Sequence, residues 1–326
     1  MDELLRVENL HTVFRTDRGV VHAVRDISYE INESEIIGLV GESGCGKSIS
    51  QMSVLQLIPT PPGKIVSGKA LFDGVDLLKL GKHSDELSGI RGEKISMIFQ
   101  EPMTSLNPAM TIAKQMSEVL IVHLNTQKRE ARERCVDMLA QVGIPDPGNR
   151  IDDYPHQLSG GMRQRVMVGM AMLCNPKLII ADEATTALDA TIQAQLLELM
   201  YEMVRRYKTA LVLVTHNLGV VARYAQRINV MYAGRIVESG TVREIWNETA
   251  HPYTKGLLKC MPKLGTALTP IHGKPPSLIG ESVLCPFRPR CEERIALCDE
   301  LPVGAPTHLG GSHSTACIRV TEGKGL

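Results

Sequence analysis

The chain has 326 residues, with 36 Lys plus Arg against 36 Asp plus Glu, 43% hydrophobic residues and eight cysteines. This length predicts about two domains, and the hydrophobic content argues against intrinsic disorder. Because the formal net charge is zero, no overall basic field attracts nucleic acid, and any anion-binding site must be local.

The longest wholly apolar runs, such as 178–181 and 210–214, are far shorter than the ~18 residues that span a bilayer. The acidic start, MDELLRVENL, lacks the basic and apolar regions of a signal peptide. We therefore expect a cytosolic protein. Structural disulfides are rare in that compartment, so the eight cysteines need another explanation.

From about residue 4 to 246, short β-branched runs alternate with longer periodic segments, which predicts a parallel sheet covered by helices. Two helical segments, 113–124 and 128–142, have no convincing strand between them and indicate a helical insertion. Beyond residue 246, nine prolines break any long element and predict a loop-rich extension. The predicted strands are 27–31, 36–40, 94–98, 178–182, 210–215 and 228–231.

Residues 41–48 (GESGCGKS) match G-x-x-x-x-G-K-[ST] and directly follow the predicted strand 36–40. Glycines let successive N–H groups turn towards a phosphate, and the following helix presents its positive end. Lys47 would neutralise the β and γ phosphates, and Ser48 would hold Mg²⁺. The alternative is an ordinary glycine-rich turn. We interpret Cys45, at a variable position of the motif, as a small packing residue. The predicted nucleotide contacts are Gly41, Ser43, Gly44, Cys45, Gly46, Lys47, Ser48 and Ile49.

Two carboxylates, Asp182 and Glu183, end the apolar strand 178–182. The carboxyl end of a buried parallel strand faces the crevice in which ligands bind. Asp182 is therefore predicted to steady Mg²⁺ through water, and Glu183 to polarise an attacking water. Adjacent acids are also common as solvated pairs, and the preceding phosphate loop makes the catalytic interpretation the better one.

The octet LSGGMRQR at 158–165 resembles the signature motif of ATP-binding cassette (ABC) ATPases. Other motifs of that family occur in the expected order. Gln100 resembles the Q-loop glutamine, Asp189 the D-loop aspartate and His216 the switch histidine. Phe14 falls where the family places an aromatic side chain against adenine. The resemblance covers about 245 residues.

The resemblance implies an α/β P-loop NTPase fold over 1–247, with a RecA-like parallel sheet core, an antiparallel β subdomain and a helical insertion at about 101–165. It also implies an ATPase dimer. Ser159, Gly160 and Gly161 would bind the γ-phosphate held by the opposite subunit, and Asp189 would position the partner's phosphate loop. Gln100 would join the Mg²⁺ site, and His216 would contact the γ-phosphate and act in catalysis with Glu183 and Lys47.

The region 248–326 begins at HPYTKGLL and carries four cysteines with spacing C-x₅-C-x₆-C-x₁₈-C. It resembles the C-terminal extension of ATPase subunits of dipeptide and oligopeptide permeases. Zinc, a [4Fe–4S] cluster, unligated thiols and disulfides are alternatives for Cys285, Cys291, Cys298 and Cys317. Family resemblance favours the cluster, which tolerates irregular spacing. We interpret Cys135, Cys174 and Cys260 as packing residues.

The resemblance as a whole implies an ATP- and Mg²⁺-dependent ATPase subunit of a dipeptide or oligopeptide importer, located at the cytoplasmic face of the membrane. The implied partners are two integral membrane permease subunits, a sister ABC ATPase and an extracytoplasmic peptide-binding protein, with no nucleic acid. Similar ATPases serve nickel and glutathione importers. A soluble ABC protein that acts on DNA or ribosomes would normally show a long coiled-coil insertion or two cassettes in one chain, and this sequence shows neither. A P-loop kinase or simple NTPase has no use for residues 158–162 or Asp189.

Overall fold

A computed structural model describes residues 2–99, 105–184, 189–261, 270–280 and 282–321. Within these ranges the chain divides into two compact units. Unit 1 comprises 33–35 and 80–212, and unit 2 comprises 2–32, 36–79 and 213–326. No helix in the described part of the chain is long and apolar enough to cross a membrane.

Among the described residues, unit 1 contains three strands and six α-helices. Strand β7 lies between β6, which runs parallel to it, and β8, whose last residues extend into unit 2. The short segment Ile90–Lys94 is a kinked helical turn, and Pro155–Gln157 is a single 3₁₀ turn. The strands are β6 (Ile95–Ile98), β7 (Leu178–Asp182) and β8 (Ala210–Thr215), and the helices are α2 (Asp85–Gly89), α3 (Ile112–Leu124), α4 (Lys128–Gln141), α5 (Pro147–Arg150), α6 (Gly160–Met172) and α7 (Ala190–Tyr207).

The two helices predicted for the insertion are present as α3 and α4. Helix α3 begins where the Thr111 hydroxyl accepts the N–H of Lys114, and it ends at Asn125 in a left-handed conformation. The apolar face of each helix is buried, and the Ser117 hydroxyl lies 3.7 Å from the buried Cys135 thiol. Cys135 is therefore a packing residue, as expected.

Unit 2 contains a four-stranded antiparallel sheet with the order β2-β1-β4-β5. The prediction of a short strand at 27–31 in a parallel sheet is corrected here. Those residues lie in a long strand that pairs antiparallel with β1, with Leu10 opposite Ile27. Polar residues interrupt the apolar pattern along both strands, which hid their length from the sequence analysis. The strands are β1 (Glu3–Thr16), β2 (Gly19–Asn32), β4 (Gly63–Phe72) and β5 (Val75–Asp76), followed by the 3₁₀ turn Leu77–Lys79.

Unit 2 also contains the strand series β11-β12-β10-β9-β3. Strands β3 and β9 are parallel, whereas β9, β10, β12 and β11 follow one another antiparallel. The sequence analysis missed β10 and both strands of the extension. The elements are β3 (Ile36–Val40), α1 (Lys47–Val54), α8 (Leu218–Tyr224), β9 (Arg227–Tyr232), β10 (Arg235–Thr241), α9 (Val242–Asn247), α10 (Pro252–Lys259), the 3₁₀ turn Arg288–Arg290, α11 (Leu297–Glu300), β11 (Thr307–Gly310), β12 (His313–Thr315) and α12 (Ile318–Thr321).

The C-terminal extension packs into the core of unit 2. Tyr253 and Phe287 belong to the same buried apolar cluster as Val40, Val230 and Tyr232. Strand β12 adds to β10, with Thr315 opposite Glu238. These contacts bury the extension against β3 and β9. The boundary at 247/248 remains a prediction.

Candidate functional site

The phosphate loop follows β3, whose five residues are all buried. Helix α1 begins after Gly46, which has φ 104° and provides no side-chain cap. A Cβ on Gly41 would lie 2.1 Å from the carbonyl oxygen of Met231, and one on Gly46 would lie 2.2 Å from that of Ala23. The loop is therefore pressed against neighbouring backbone that only glycine tolerates, while the first N–H groups of α1 have no side-chain cap.

Lys47 is 4% exposed, and its ammonium donates to the carbonyl oxygens of Gly41 (2.9 Å) and Glu42 (3.1 Å). The positive charge is thereby held inside the loop, while Ser43 and Gly44 are exposed. Ser48 and Ile49 are half-buried. A loop of N–H groups around a buried ammonium fits a phosphate group chemically.

The sequence analysis missed a link between the phosphate loop and the extension. The Glu42 N–H donates to the Tyr253 hydroxyl at 2.9 Å. Arg290 donates to both carboxylate oxygens of Glu42, at 2.8 and 3.0 Å. Burial alone would lower the pKa of the Arg290 guanidinium, but its hydrogen bonds to Glu42 and Tyr232 raise it. The acidic second position of the motif was the available signal, because even a half-buried carboxylate favours a cationic partner.

Two further predicted site residues lie in unit 2. Phe14 is half-buried on β1, opposite Gly63 of β4. His216 is exposed between the end of β8 and helix α8. Asn217 caps α8 by accepting the N–H groups of Gly219 and Val220. His216 thus lies directly after the end of β8 and directly before the Asn217 cap of helix α8.

In unit 1, β7 ends at Asp182, which is 4% exposed. Glu183 follows with φ 44°, a left-handed conformation that is unfavourable for a residue with a Cβ. The buried Gln164 side chain on α6 donates to the carbonyl oxygen of Ala184 at 3.2 Å and ties α6 to this turn. Strained backbone is typical of functional positions.

The signature octet also lies in unit 1 and opens helix α6. The Ser159 hydroxyl accepts the N–H of Met162 at 3.3 Å and caps the helix. Ser159 and Gly160 are exposed, and Gly161 is half-buried. A helix N-terminus on the surface, capped only by its own serine, can accept an anion from outside the unit.

Asp189 caps helix α7, because its carboxylate accepts the N–H groups of Thr191 (3.1 Å) and Ile192 (3.0 Å). This local role was not anticipated from the sequence. Gln100 lies outside the described residues, so its predicted place in the Mg²⁺ site stays a prediction.

All eight cysteines lie in the described part of the chain, and none of them forms a disulfide bond. Burial, together with the neighbouring thiols of Cys285, Cys317 and Cys298, raises the pKa of Cys291 to about 11. The pKa of Cys285 is also raised by burial, while the N–H groups of Phe287 and Arg288 lower it by hydrogen bonding to its sulfur. The four thiols therefore lie within electrostatic range of one another.

Among the described residues, no group of three or more Cys, His, Asp or Glu side chains is assembled with metal-binding geometry. His313, a histidine of the extension, is buried, and its Nε2 lies 2.8 Å from the Glu238 carboxylate. Glu238 also accepts the N–H groups of Ala250 and His251. His313 is thus engaged in the core of unit 2.

Residues 24–186 match the family described as ABC transporter, and residues 237–298 match the family described as Oligopeptide/dipeptide transporter, C-terminal region. The dipeptide transport ATP-binding protein DppD of Bacillus subtilis is 48% identical over 320 residues, which is 97% of this chain and 95% of that protein. The chain belongs to the ABC ATPases of the dipeptide and oligopeptide permease family.

Two other comparisons agree with this family. The oligopeptide transport ATP-binding protein OppD of Escherichia coli is 46% identical over 304 residues, covering 92% of this chain and 89% of that protein. Among solved structures, a dimeric ATP-binding cassette bound to ADP and phosphate matches with a TM-score of 0.65 and 26% identity. That match covers 73% of this permease ATPase and 99% of the solved chain. The cassette fold predicted from the sequence is confirmed.

Proposed function

We propose that this chain is the ATP-hydrolysing subunit of an importer for dipeptides or oligopeptides. The observation that carries the proposal is the presence, in one chain, of an ABC cassette and the C-terminal region typical of oligopeptide and dipeptide transporters. Relatives named for dipeptide and oligopeptide transport match almost the whole chain.

MgATP is the proposed ligand of the phosphate loop. N–H groups of the loop 41–48, other than those of Glu42 and Cys45, would hold the phosphates, and Lys47 would neutralise them. Ser48 and Asp182 would hold Mg²⁺ together with Gln100, and Phe14 would stack on adenine. Glu183 would orient and polarise the attacking water, with His216 against the γ-phosphate.

A dimer with a sister ATPase is the second part of the proposal. The exposed N-terminus of α6 at Ser159 and Gly160 supports it, because this site lacks the buried lysine that the phosphate loop has. In the dimer, Ser159, Gly160 and Gly161 would receive the γ-phosphate bound by the opposite subunit. Asp189, which already caps α7, would meet the partner's phosphate loop.

The remaining partners are two integral membrane permease subunits and an extracytoplasmic peptide-binding protein. The proposed location of this chain is peripheral, at the cytoplasmic face of the membrane. Transport then couples ATP binding and hydrolysis here to movements of the membrane subunits.

The decisive experiment is reconstitution of this chain with its membrane subunits and sister ATPase in proteoliposomes. We expect ATP hydrolysis to rise when the binding protein is loaded with a dipeptide or oligopeptide. Stimulation by nickel or glutathione instead of peptide would contradict the proposed cargo. Stimulation by polynucleotide, with no membrane partner, would overturn the transporter assignment altogether.

We further propose that Cys285, Cys291, Cys298 and Cys317 hold a [4Fe–4S] cluster in a Cys-rich extension at 248–326. The ligand type supports the proposal, because four cysteine thiols are what this cluster takes, and so does the effect of the neighbouring thiols on the pKa of Cys285 and Cys291. The bound cluster would cross-link the proline-broken extension and stabilise it. No hydrolytic step passes through it.

The cluster proposal is tested with anaerobically purified protein. Wild type is expected to be brown, with visible absorbance and about four irons per chain. The variant Cys291→Ser is expected to lose both the colour and the iron, while Cys135→Ser, at a packing position, is expected to keep them. Stoichiometric zinc without iron in the wild type would refute the cluster.

A further inference from the structure

The phosphate loop contains one acidic residue, Glu42, in an otherwise uncharged or basic motif. A carboxylate beside a triphosphate raises the electrostatic cost of binding, because like charges repel strongly where water is partly excluded. The structure holds Glu42 at two points. Its N–H donates to the Tyr253 hydroxyl, and its carboxylate receives the guanidinium fork of Arg290.

The Glu42 carboxylate acts on the interior of the loop. Burial raises the pKa of the Cys45 thiol, the nearby Lys47 ammonium lowers it, and Glu42 adds to the increase. An uncompensated negative charge on Glu42 would therefore repel phosphates bound in the loop. The ion pair with Arg290 offsets that charge and turns both oxygens towards the extension.

Arg290 is itself firmly held. Its side chain is 6% exposed. It also donates to the Tyr232 hydroxyl at 3.2 Å and to the carbonyl oxygens of His272 and Ile271, at 2.9 and 3.3 Å. A guanidinium fixed by this many partners presents a pre-organised fork, which a lysine could not reproduce.

The position of Arg290 in the chain connects two regions. It is the last residue of the 3₁₀ turn Arg288–Arg290, and Cys291 follows it directly. Phe287, three residues earlier, packs against Tyr232 and Tyr253 with ring centroids 5.3 and 5.4 Å apart. The segment between Cys285 and Cys291 thus contacts the phosphate loop through one ion pair and one aromatic cluster.

We propose that Arg290 of the C-terminal extension is a positioning residue of the phosphate loop, which neutralises and orients Glu42 and thereby sets the affinity for MgATP. This inference rests on the proposed function, in which the loop binds MgATP. Arg290 acts through Glu42 and contacts no substrate.

The test is titration of a fluorescent ATP analogue with Mg²⁺ into the purified full-length chain. Arg290→Ala is expected to weaken affinity by about 5- to 30-fold, a typical range for coupling between linked sites. Arg290→Lys keeps the charge but loses the fork, so we expect an intermediate loss. The matched control is Arg294→Ala, since Arg294 lies in the same extension and pairs with Asp299.

The distinguishing variant is the double substitution Glu42→Gln with Arg290→Ala. If Arg290 acts by compensating the Glu42 charge, removing that charge restores affinity to within about threefold of wild type. The loss in Arg290→Ala should also shrink as salt is raised, because screening weakens the repulsion. Thermal unfolding and iron content are measured for each variant, and a poorly folding Arg290→Ala is replaced by Arg290→Lys with and without Glu42→Gln.

Two results would overturn the inference: unchanged affinity in Arg290→Ala, or no recovery in the double variant. Failure of the proposed function gives a different pattern. If Lys47→Ala binds the analogue as tightly as wild type, the loop is not the nucleotide site and both proposals fall. If Lys47→Ala loses affinity and Arg290→Ala does not, only the role of Arg290 is lost.

Discussion

Two helix N-termini in this chain are candidates for phosphate binding, and they are built differently. Helix α1 starts at Gly46 without a side-chain cap and is preceded by a loop around the buried Lys47. Helix α6 starts at the exposed Ser159, which caps it with its own hydroxyl. The first is prepared to bind an anion alone, whereas the second is stable without one. This difference fits a division of roles between the two termini. The α1 terminus would bind phosphate within one chain, and the α6 terminus would bind it only after two ATPase subunits assemble.

The extension strengthens this contrast. The phosphate loop is held by Tyr253 and Arg290, far along the chain. At the α6 terminus, the Ser159 cap and the donation from Arg163 to the carbonyl oxygen of Pro155 both join residues less than ten positions apart. We expect this long-range support to restrict the phosphate loop before nucleotide binds, which would lower the conformational cost of binding.

The largest expected effect separates chemistry from binding. Glu183→Gln should lower turnover by ~10²–10⁴, the usual range for loss of a general base. Its affinity for MgATP should remain close to that of wild type, because the phosphates are held elsewhere. Steady-state hydrolysis and analogue titration check this, with Glu202→Gln on the exposed face of α7 as the control. Equal turnover in the two variants would remove Glu183 from the mechanism.

Lys47→Ala tests phosphate binding at the α1 terminus directly. Because the substitution removes the buried ammonium that is proposed to neutralise the phosphates, we expect affinity for a fluorescent ATP analogue to fall about 10- to 100-fold. Lys64→Ala, which removes an exposed lysine from β4, should bind as wild type does. Equal affinity in the two variants would contradict the assignment of the phosphate loop.

Ser159→Ala examines the second helix terminus. Loss of the cap should destabilise the chain by about 1 kcal/mol. Turnover of the assembled transporter should fall about 10-fold, since removing one phosphate-binding donor usually has at least that effect. Thr111→Ala removes the equivalent cap of α3 and serves as the control. It should lose similar stability and keep its turnover, and equal turnover losses would assign Ser159 a structural role alone.

The smallest effect concerns the support of the phosphate loop. Burial lowers the pKa of His251 to about 3, so the unfolded chain takes up this proton at a higher pH than the folded chain does. The free energy of unfolding therefore falls as pH falls below the ordinary histidine pKa of about 6.5. The loss is complete only below about 3, the pKa of His251 in the folded chain. When the pH is lowered from about 7.5 to about 5.5, His251 should reduce the free energy of unfolding by about 1 kcal/mol.

His251→Asn should remove that part of the pH dependence. Asparagine can still accept the N–H of Tyr253, as His251 Nδ1 does at the start of α10. Urea unfolding of the variant and the wild type at both pH values measures the difference, with the exposed His83→Asn as the control. An unchanged slope in His251→Asn would show that another group carries the acid sensitivity.

The sequence predicted strands and helices correctly where the hydrophobic pattern is unbroken along the chain. Strands β3, β7 and β8 are continuous apolar runs, and both insertion helices have clear periodicity, so their positions were predicted within a residue or two. The hairpin of β1 and β2 was largely missed, because polar residues and register shifts break its alternation. Strands β11 and β12 are short and were not predicted, because they form through tertiary pairing: β12 pairs with β10, and β11 pairs with β12.

The sequence by itself determined the family, the phosphate loop and the candidate catalytic residues, because phosphate chemistry requires particular residues at fixed spacing along one strand-to-helix turn. Tertiary structure decided what surrounds Glu42. The partner of its N–H is 211 residues away and the partner of its carboxylate is 248 residues away, and no local pattern encodes such contacts. Partial burial of a charge near the phosphate loop favours a cationic partner, and the fold of the extension supplies Arg290.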